Sequence, residues 1–316
     1  MEIIHQSCPN LNSLVYDHYS SDKRIYKHDD TNEKEDGKTD TPATAATSGN
    51  IREISVKIQN PRDIIPIFFK NSNTIQTLGL DASFDDEIEV DNSDWDSLTN
   101  VCSLLSNLRS PSLCGPYVIH PMATPSLFQN AINLRWLHLS DGEFSSLSTE
   151  VFRSIGNLPL LQKLVLERCY IEDQDLVALF NTLIDKGRNN QPTLEDVRLV
   201  DVSHVSDIMD HLSAIPTIKN IILESLDDII DDDIFQLAED LYTHPGIRSI
   251  TLESLECYTS DMVLSELSNI EVLEQLHLIS LSKLSRIGLE NFNGGSVKLV
   301  VEGCEFAEDQ VYEYCY

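Results

Sequence analysis

The chain has 316 residues, 41% of them hydrophobic, enough to bury a substantial core in one large or two ordinary domains. Its formal charge of −30 disfavours non-specific attraction to nucleic acid or an anionic membrane, and no apolar run approaches the ~18 residues of a membrane span. Seven scattered cysteines without a CxxC pair argue against a disulfide framework or zinc site, and for reduced thiols in an intracellular, cytoplasmic or nuclear, protein.

The first predicted strand is LNSLVY, from Leu11. Its apolar residues are spaced three and then two apart, which fits neither a helix nor a lone half-buried strand. The spacing returns in IREISV from Ile51, IQTLGL from Ile75, LRSPSL from Leu108 and LRWLHL from Leu134. LQKLVL from Leu161, LEDVRL from Leu194, IKNIIL from Ile218, IRSITL from Ile247 and LEQLHL from Leu273 continue it. SVKLVV from Ser296 is a degraded last copy, and from Ile51 onward the starts lie 23 to 33 residues apart. Pro9, Pro159, Pro192, Pro216 and Pro245 each stand two residues before the first apolar position of a copy, where proline ends a helix and favours extended backbone.

Helical spacing fills the intervals at 148–158, 173–187, 206–215, 231–244 and 260–270, most opening on Ser or Asp, residues suited to N-caps. A strand plus a helix about every 27 residues resembles the leucine-rich repeat, L-x-x-L-x-L-x-x-N/C-x-L. Cys169 and Cys304 stand at its N/C place, followed by Ile171 and Phe306. The resemblance implies an α/β solenoid of about eleven irregular repeats, with a parallel sheet on a concave side and helices on a convex one. Residues 1–18 form a first partial repeat, 19–49 a disordered polar insertion too poor in apolar residues to offset ordering, and 50–316 the solenoid. No polar capping unit is recognisable at the start, where a solenoid normally has one.

The motifs of common active sites are missing: no GxSxG, P-loop, dinucleotide fingerprint or HExxH. No catalytic, cofactor or metal residue is therefore assigned. Asp201, His204, Asp207, Asp210 and His211 cluster, but read better as a helix start and surface groups. The carboxylate-rich stretches 81–96 and 224–233 read as solvated acidic loops, since 81–96 lacks the glycine and terminal Glu of a calcium loop. Cys114 reads as a small filler.

Charge singles out one face. The eleven eight-residue windows that start each copy hold 10 of 22 Lys and Arg but only 12 of 52 Asp and Glu. Within a copy the apolar fourth and sixth residues point inward, so the third, fifth and seventh face the concave side. Among these, Trp136, His138, Lys163, Glu167, Arg198, Asn220, Ile222, Glu224, Glu253 and His277 are the candidate protein-binding residues. An exposed Trp, an Arg and an Ile on adjacent strands match the composition of interface hot spots.

Irregular repeat lengths and strand approaches such as CPNL and LPLL are similar to the substrate-binding half of fungal F-box/leucine-rich-repeat proteins. In that family an F-box docks on the Skp1 adaptor of a cullin ubiquitin ligase, while the repeats capture the protein to be ubiquitinated. No F-box is present here, so engagement of a Skp1/cullin complex is expected only if one lies upstream of Met1. The alternative is a free-standing regulator, an inhibitor or a protein resembling the Ran GTPase activator, although the ladder position is mostly not Asn. Either reading is of a non-enzymatic protein binder.

Overall fold

A strand of only five residues can bury one face only if neighbouring strands and a second layer cover it. In a computed structural model of the protein the described residues are 13–16, 51–58, 61–82, 92–115, 123–144, 148–255, 261–282, 284–292, 295 and 297–304. In chain order they form β1 (Ser13–Tyr16), β2 (Glu53–Lys57), α1 (Ile65–Asn71), β3 (Thr77–Asp81), α2 (Asn92–Cys102), β4 (Ser110–Cys114) and α3 (Pro125–Asn130). Next come β5 (Trp136–Glu143), α4 (Thr149–Gly156), β6 (Lys163–Tyr170), α5 (Asp173–Arg188), β7 (Asp196–Val202), α6 (Met209–Ser213) and β8 (Asn220–Glu224). The rest are α7 (Asp231–Leu241), β9 (Ser249–Glu253), α8 (Asp261–Ser268), β10 (Gln275–Ile279), α9 (Arg286–Glu290) and β11 (Lys298–Glu302). The predicted insertion, and all of the first partial repeat but β1, lie outside the described residues.

All eleven strands pair in parallel and in sequence order, giving one open sheet. Parallel neighbours require a crossover, and from β2 on a helix supplies most of them. The repeat places equivalent positions side by side: Leu137 opposes Leu164, which opposes Val197, and Ile250 opposes Leu276, which opposes Leu299. These inward residues are at most 1% exposed and share one core cluster with Phe152, Phe180, Leu183 and Leu237 from the helices. The helices thus cover one face of the sheet. The third, fifth and seventh positions project from the other, open face, and are mostly half-buried or exposed.

Three local expectations need correction. Both ends of the stretch 81–96 depart from the acidic-loop reading, since Asp81 ends β3 and α2 begins at Asn92 with Trp95 5% exposed in the core, while 83–91 lie outside the described residues. The stretch 224–233 is likewise structured. Glu224 ends β8, Asp228 accepts from the Ser206 amide and hydroxyl, and Asp231–Asp233 form the first turn of α7. Side-chain capping is rarer than the Ser and Asp pattern implies. Ser148 makes no cap bond, α5 and α7 have Glu172 and Ile230 at their N-caps, and among the described N-cap residues Thr124 and Ser285 are the ones whose side-chain oxygen accepts a cap bond. The acids instead sit within the first turns, where the helix dipole favours them.

From β4 on, the eighth residue of each copy has positive φ, standing directly after β4 and β8–β11 but inside β5–β7. Gly115, Asp141, Arg168, Asp201, Ser225, Ser254, Ser280 and Gly303 have φ between 49° and 91°. The amide of this residue still bonds to the next strand, as from Ser225 to the Glu253 carbonyl at 2.9 Å and from Ser280 to the Glu302 carbonyl at 2.8 Å. After β4 and β8–β11 the left-handed residue turns the chain out of the sheet without breaking the inter-copy ladder, whereas β5–β7 run on past it and pair again at Gly142–Cys169 and Cys169–Val202. Only two of the eight are glycine, so the other six hold a conformation disfavoured by roughly 1–2 kcal/mol.

Buried polar side chains fasten each copy to the one before. Lys186 Nζ donates to the Leu158 carbonyl at 2.5 Å, and His244 Nε2 to the Ile215 carbonyl at 2.9 Å. Both acceptors stand three residues before the first apolar position of a copy. Thr74 and Thr217 hydroxyls reach the Ile51 and Leu194 carbonyls in the same manner. Burial lowers the Lys186 pKa. Stability from this group therefore increases with pH between its folded pKa and the unfolded value near 10.5, where the unfolded chain holds the extra proton.

Packing between copies also fixes glycine at the end of α5. A Cβ on Gly187 would lie 2.6 Å from Cδ of Pro216, in the rigid ring that leads into β8. Alanine has the better helix propensity by ~1 kcal/mol. The clash outweighs it, and Gly187→Ala is expected to destabilise by about 1–3 kcal/mol, as overpacked cores do. Urea unfolding checks this; a gain in stability would show that the two copies separate at little cost.

Candidate protein-interaction face

The open face is a grid, with strands as columns and repeat positions as rows. Row three runs Trp136, Lys163, Asp196, Asn220, Ser249, Gln275 and Lys298 across β5–β11. Row five runs Ser112, His138, Val165, Arg198, Ile222, Thr251, His277 and Val300 across β4–β11. Row seven carries Cys114, Ser140, Glu167, Val200, Glu224, Glu253, Ile279 and Glu302. All ten candidate residues lie on this grid.

Several of them meet. His138 Nε2 stands 3.3 Å from Glu167 Oε2, close enough for an ion pair but not aligned as a hydrogen bond. Its Nδ1 is 3.0 Å from the Ser112 hydroxyl. Trp136 lies near-parallel to the His138 ring, with centroids 6.3 Å apart and planes at 15°. Arg198 Nη2 donates to Glu224 Oε2 at 2.7 Å, and the Asn220 amide donates to Asp196. Lys163 projects from row three into solvent, between Trp136 and Asp196 in register. His277 Nε2 is 3.4 Å from Gln275 Oε1, while Glu253 has no basic group within 4 Å among the described residues.

One expectation changes here. Trp136 is half-buried, not freely exposed, and its Nε1 is shielded from solvent with no hydrogen-bond partner among the described residues. Its ring face and unpaired N–H form a partly built anchor. Val165 and Val200, each 7% exposed, add little contact surface.

Arg168, Asp141 and Ser112 belong to the same network but were not singled out from sequence, and Cys114, read as a small filler, joins them. Arg168 donates to both carboxylate oxygens of Asp141, at 2.5 and 2.9 Å, and also to Glu167. Cys114 Sγ donates to Asp141 Oδ2 at 3.3 Å. Arg168 and Asp141 occupy the same eighth position of consecutive copies, both with positive φ, so the fork joins two strained turns. The bidentate guanidinium holds the Asp141 carboxyl below its ordinary pKa, and the two acids hold Arg168 well above its own. Sequence spacing was the available signal, since 27 residues separate the pair, one repeat.

The network makes a fixed polar surface. Ser112, His138 and Glu167 stand in the order of an acyl-transfer triad, but only Ser112 and His138 are hydrogen-bonded. Burial lowers the His138 pKa, the nearby Arg198 and Arg168 lower it further, and Glu167 opposes them, so the imidazole is neutral near pH 7. Yet the amides around Ser112 and His138 are committed to strand pairing, which leaves the described residues no preformed oxyanion donors at this point. Burial pushes the Cys114 thiol up to about 11 and the Cys169 thiol to about 12, away from the reactive thiolate range. His204 and His211 pair locally with Asp207 and Asp210, at 3.8 and 2.6 Å. No group of three or more His, Cys, Asp or Glu suited to a metal occurs among the described residues.

Two cysteines have a structural role. Cys169 Sγ donates to the Leu139 carbonyl at 3.4 Å and Cys304 Sγ to the Leu278 carbonyl at 3.8 Å, each reaching back to the previous strand. No known family model matches the chain, and no curated protein sequence matches it. No helix among the described residues is long and apolar enough to cross a membrane.

Proposed function

We propose that the chain is a leucine-rich-repeat solenoid that works as a non-catalytic protein-interaction module through its open sheet face. The observation that carries this reading is the β5–β8 grid. There a half-buried Trp136 with a free N–H, an exposed Lys163, a paired Arg198 and an aliphatic Ile222 occupy two adjacent rows on four consecutive strands. Hot spots combine such aromatic and Arg anchors, and prior pairing of the charges lowers the ordering cost of association. Cys169 and Cys304 bonding backward from the N/C place supports the leucine-rich-repeat assignment. The more specific reading is the substrate-recognition part of an F-box/leucine-rich-repeat ubiquitin-ligase receptor, and it rests on the resemblance of the repeats.

The test is capture from cell lysate on immobilised protein, quantified by mass spectrometry with folding checked by circular dichroism. Trp136→Ala and Arg198→Ala are each expected to weaken capture by about 2 kcal/mol, roughly thirtyfold. Charge reversal of the helix-side Asp232 and Glu239 is expected to alter mainly association rate and salt dependence. Retention of every partner by both open-face variants, with loss in the helix-side reversals, would place binding on the helices.

A further inference from the structure

The grid is unevenly compensated. On β5–β7 the two arginines are answered locally, Arg168 by Asp141 and Glu167, and Arg198 by Glu224. On β8–β11 the seventh row runs Glu224, Glu253, Ile279 and Glu302. Glu224 and Glu253 are direct register partners on adjacent strands about 4.8 Å apart, an arrangement in which like charges oppose one another. Arg198 reaches Glu224, but Glu253 has no base within 4 Å among the described residues. Burial and the charges of Glu224 and Glu302 raise the Glu253 pKa, with Arg198 the one opposing influence. In the free protein Glu253 thus faces the like charge of Glu224 across the register without a paired base among the described residues.

The surroundings indicate what would satisfy it. Ile222 and Ile279 are half-buried on the strands flanking Glu253, and Thr251 lies between them on its own strand. A bare metal ion finds no third ligand, since no cluster of three occurs among the described residues. A long basic side chain suits both parts, laying its methylene stem on the isoleucines and its charged head at the carboxylates.

We propose that the open face over β8–β11 takes a basic segment of a partner protein, seating one arginine or lysine between Glu224 and Glu253 with aliphatic neighbours against Ile222 and Ile279. This rests on the protein-interaction reading and adds the chemical class of the partner.

The probes are fluorescein-labelled ten-residue peptides with two arginines in a leucine and serine background, and the same peptides with citrulline, which keeps the shape and removes the charge. Binding is read by anisotropy at 150 mM salt. A chain of net charge −30 attracts any cation, so Glu253→Gln is compared with the helix-side Glu239→Gln, which removes the same charge. Expected are at least tenfold weaker binding of the arginine peptides by Glu253→Gln, a change within twofold for Glu239→Gln, and a comparable tenfold loss with citrulline. Glu253→Gln should melt no lower than the unaltered protein, which separates loss of the seat from loss of folding. Equal weakening by both variants, undiminished citrulline binding, or no binding of the arginine peptides to the unaltered protein overturns the proposal. Should lysate partners depend on Trp136 and Arg198 but ignore Glu253→Gln, the protein-interaction face stands and the cation seat falls.

Discussion

Replacing Leu164 or Leu276 by alanine is expected to lower stability by about 2–5 kcal/mol, the range for large-to-small changes in a packed core. Both side chains are fully buried at the fourth position of their copies, Leu164 between Leu137 and Val197 and Leu276 between Ile250 and Leu299. Each copy buries its apolar face only against its neighbours, so the cavity weakens two interfaces at once. The consequence differs with location. Leu164 lies mid-array and should lower the whole unfolding transition, whereas Leu276 lies near the last strand and should broaden it as the final copies open first. Lys163→Ala, one residue away on the open face, should stay within about 0.5 kcal/mol. A one-residue slip would exchange these faces. Urea melts in which Lys163→Ala costs more than Leu164→Ala would therefore show the register to be wrong.

What the sequence made legible follows from how periodicity is encoded. Leu137 and Leu139, or Leu276 and Leu278, announce the inward face because a strand alternates and the repeat returns the pattern every 23 to 33 residues. That was enough to place ten candidate residues on one face. The left-handed eighth position was hidden, because Asp141, Arg168, Asp201 and five serines or glycines elsewhere share no composition that marks a positive φ. The short helix at Asn92 was masked by the carboxylates that precede it, whose charge suggests a loop while Trp95 enters the core. The Arg168–Asp141 fork needed the register, since only stacking of copies turns a separation of 27 residues into contact. Buried polar residues were the deepest omission. Lys186 and His244 look like surface groups until the turn they fasten is known.

His244 makes the second large prediction. It ends the helix-to-strand turn before β9, is 7% exposed, and uses both ring nitrogens. Nε2 donates to the Ile215 carbonyl of the previous copy at 2.9 Å, and Nδ1 accepts from the amides of Gly246 and Ile247 at 3.1 Å each. The geometry fixes the tautomer, with its proton on Nε2. Alanine at this site strands one carbonyl and two amides in a turn that water enters poorly, and each unmet buried group costs about 1–3 kcal/mol. His244→Ala is therefore expected to cost about 3–5 kcal/mol, comparable with deleting a core leucine although the residue is polar. Partial relief should come from His244→Asn, whose short amide can still accept from the Gly246 amide but cannot span to Ile215. The order of stability is thus unaltered protein, then Asn, then Ala, read by chemical denaturation. Hydrogen exchange should also quicken at the Gly246 and Ile247 amides in the alanine variant. An alanine variant within 1 kcal/mol of the unaltered protein would mean that water replaces the ring, and that copies are joined by apolar contact alone.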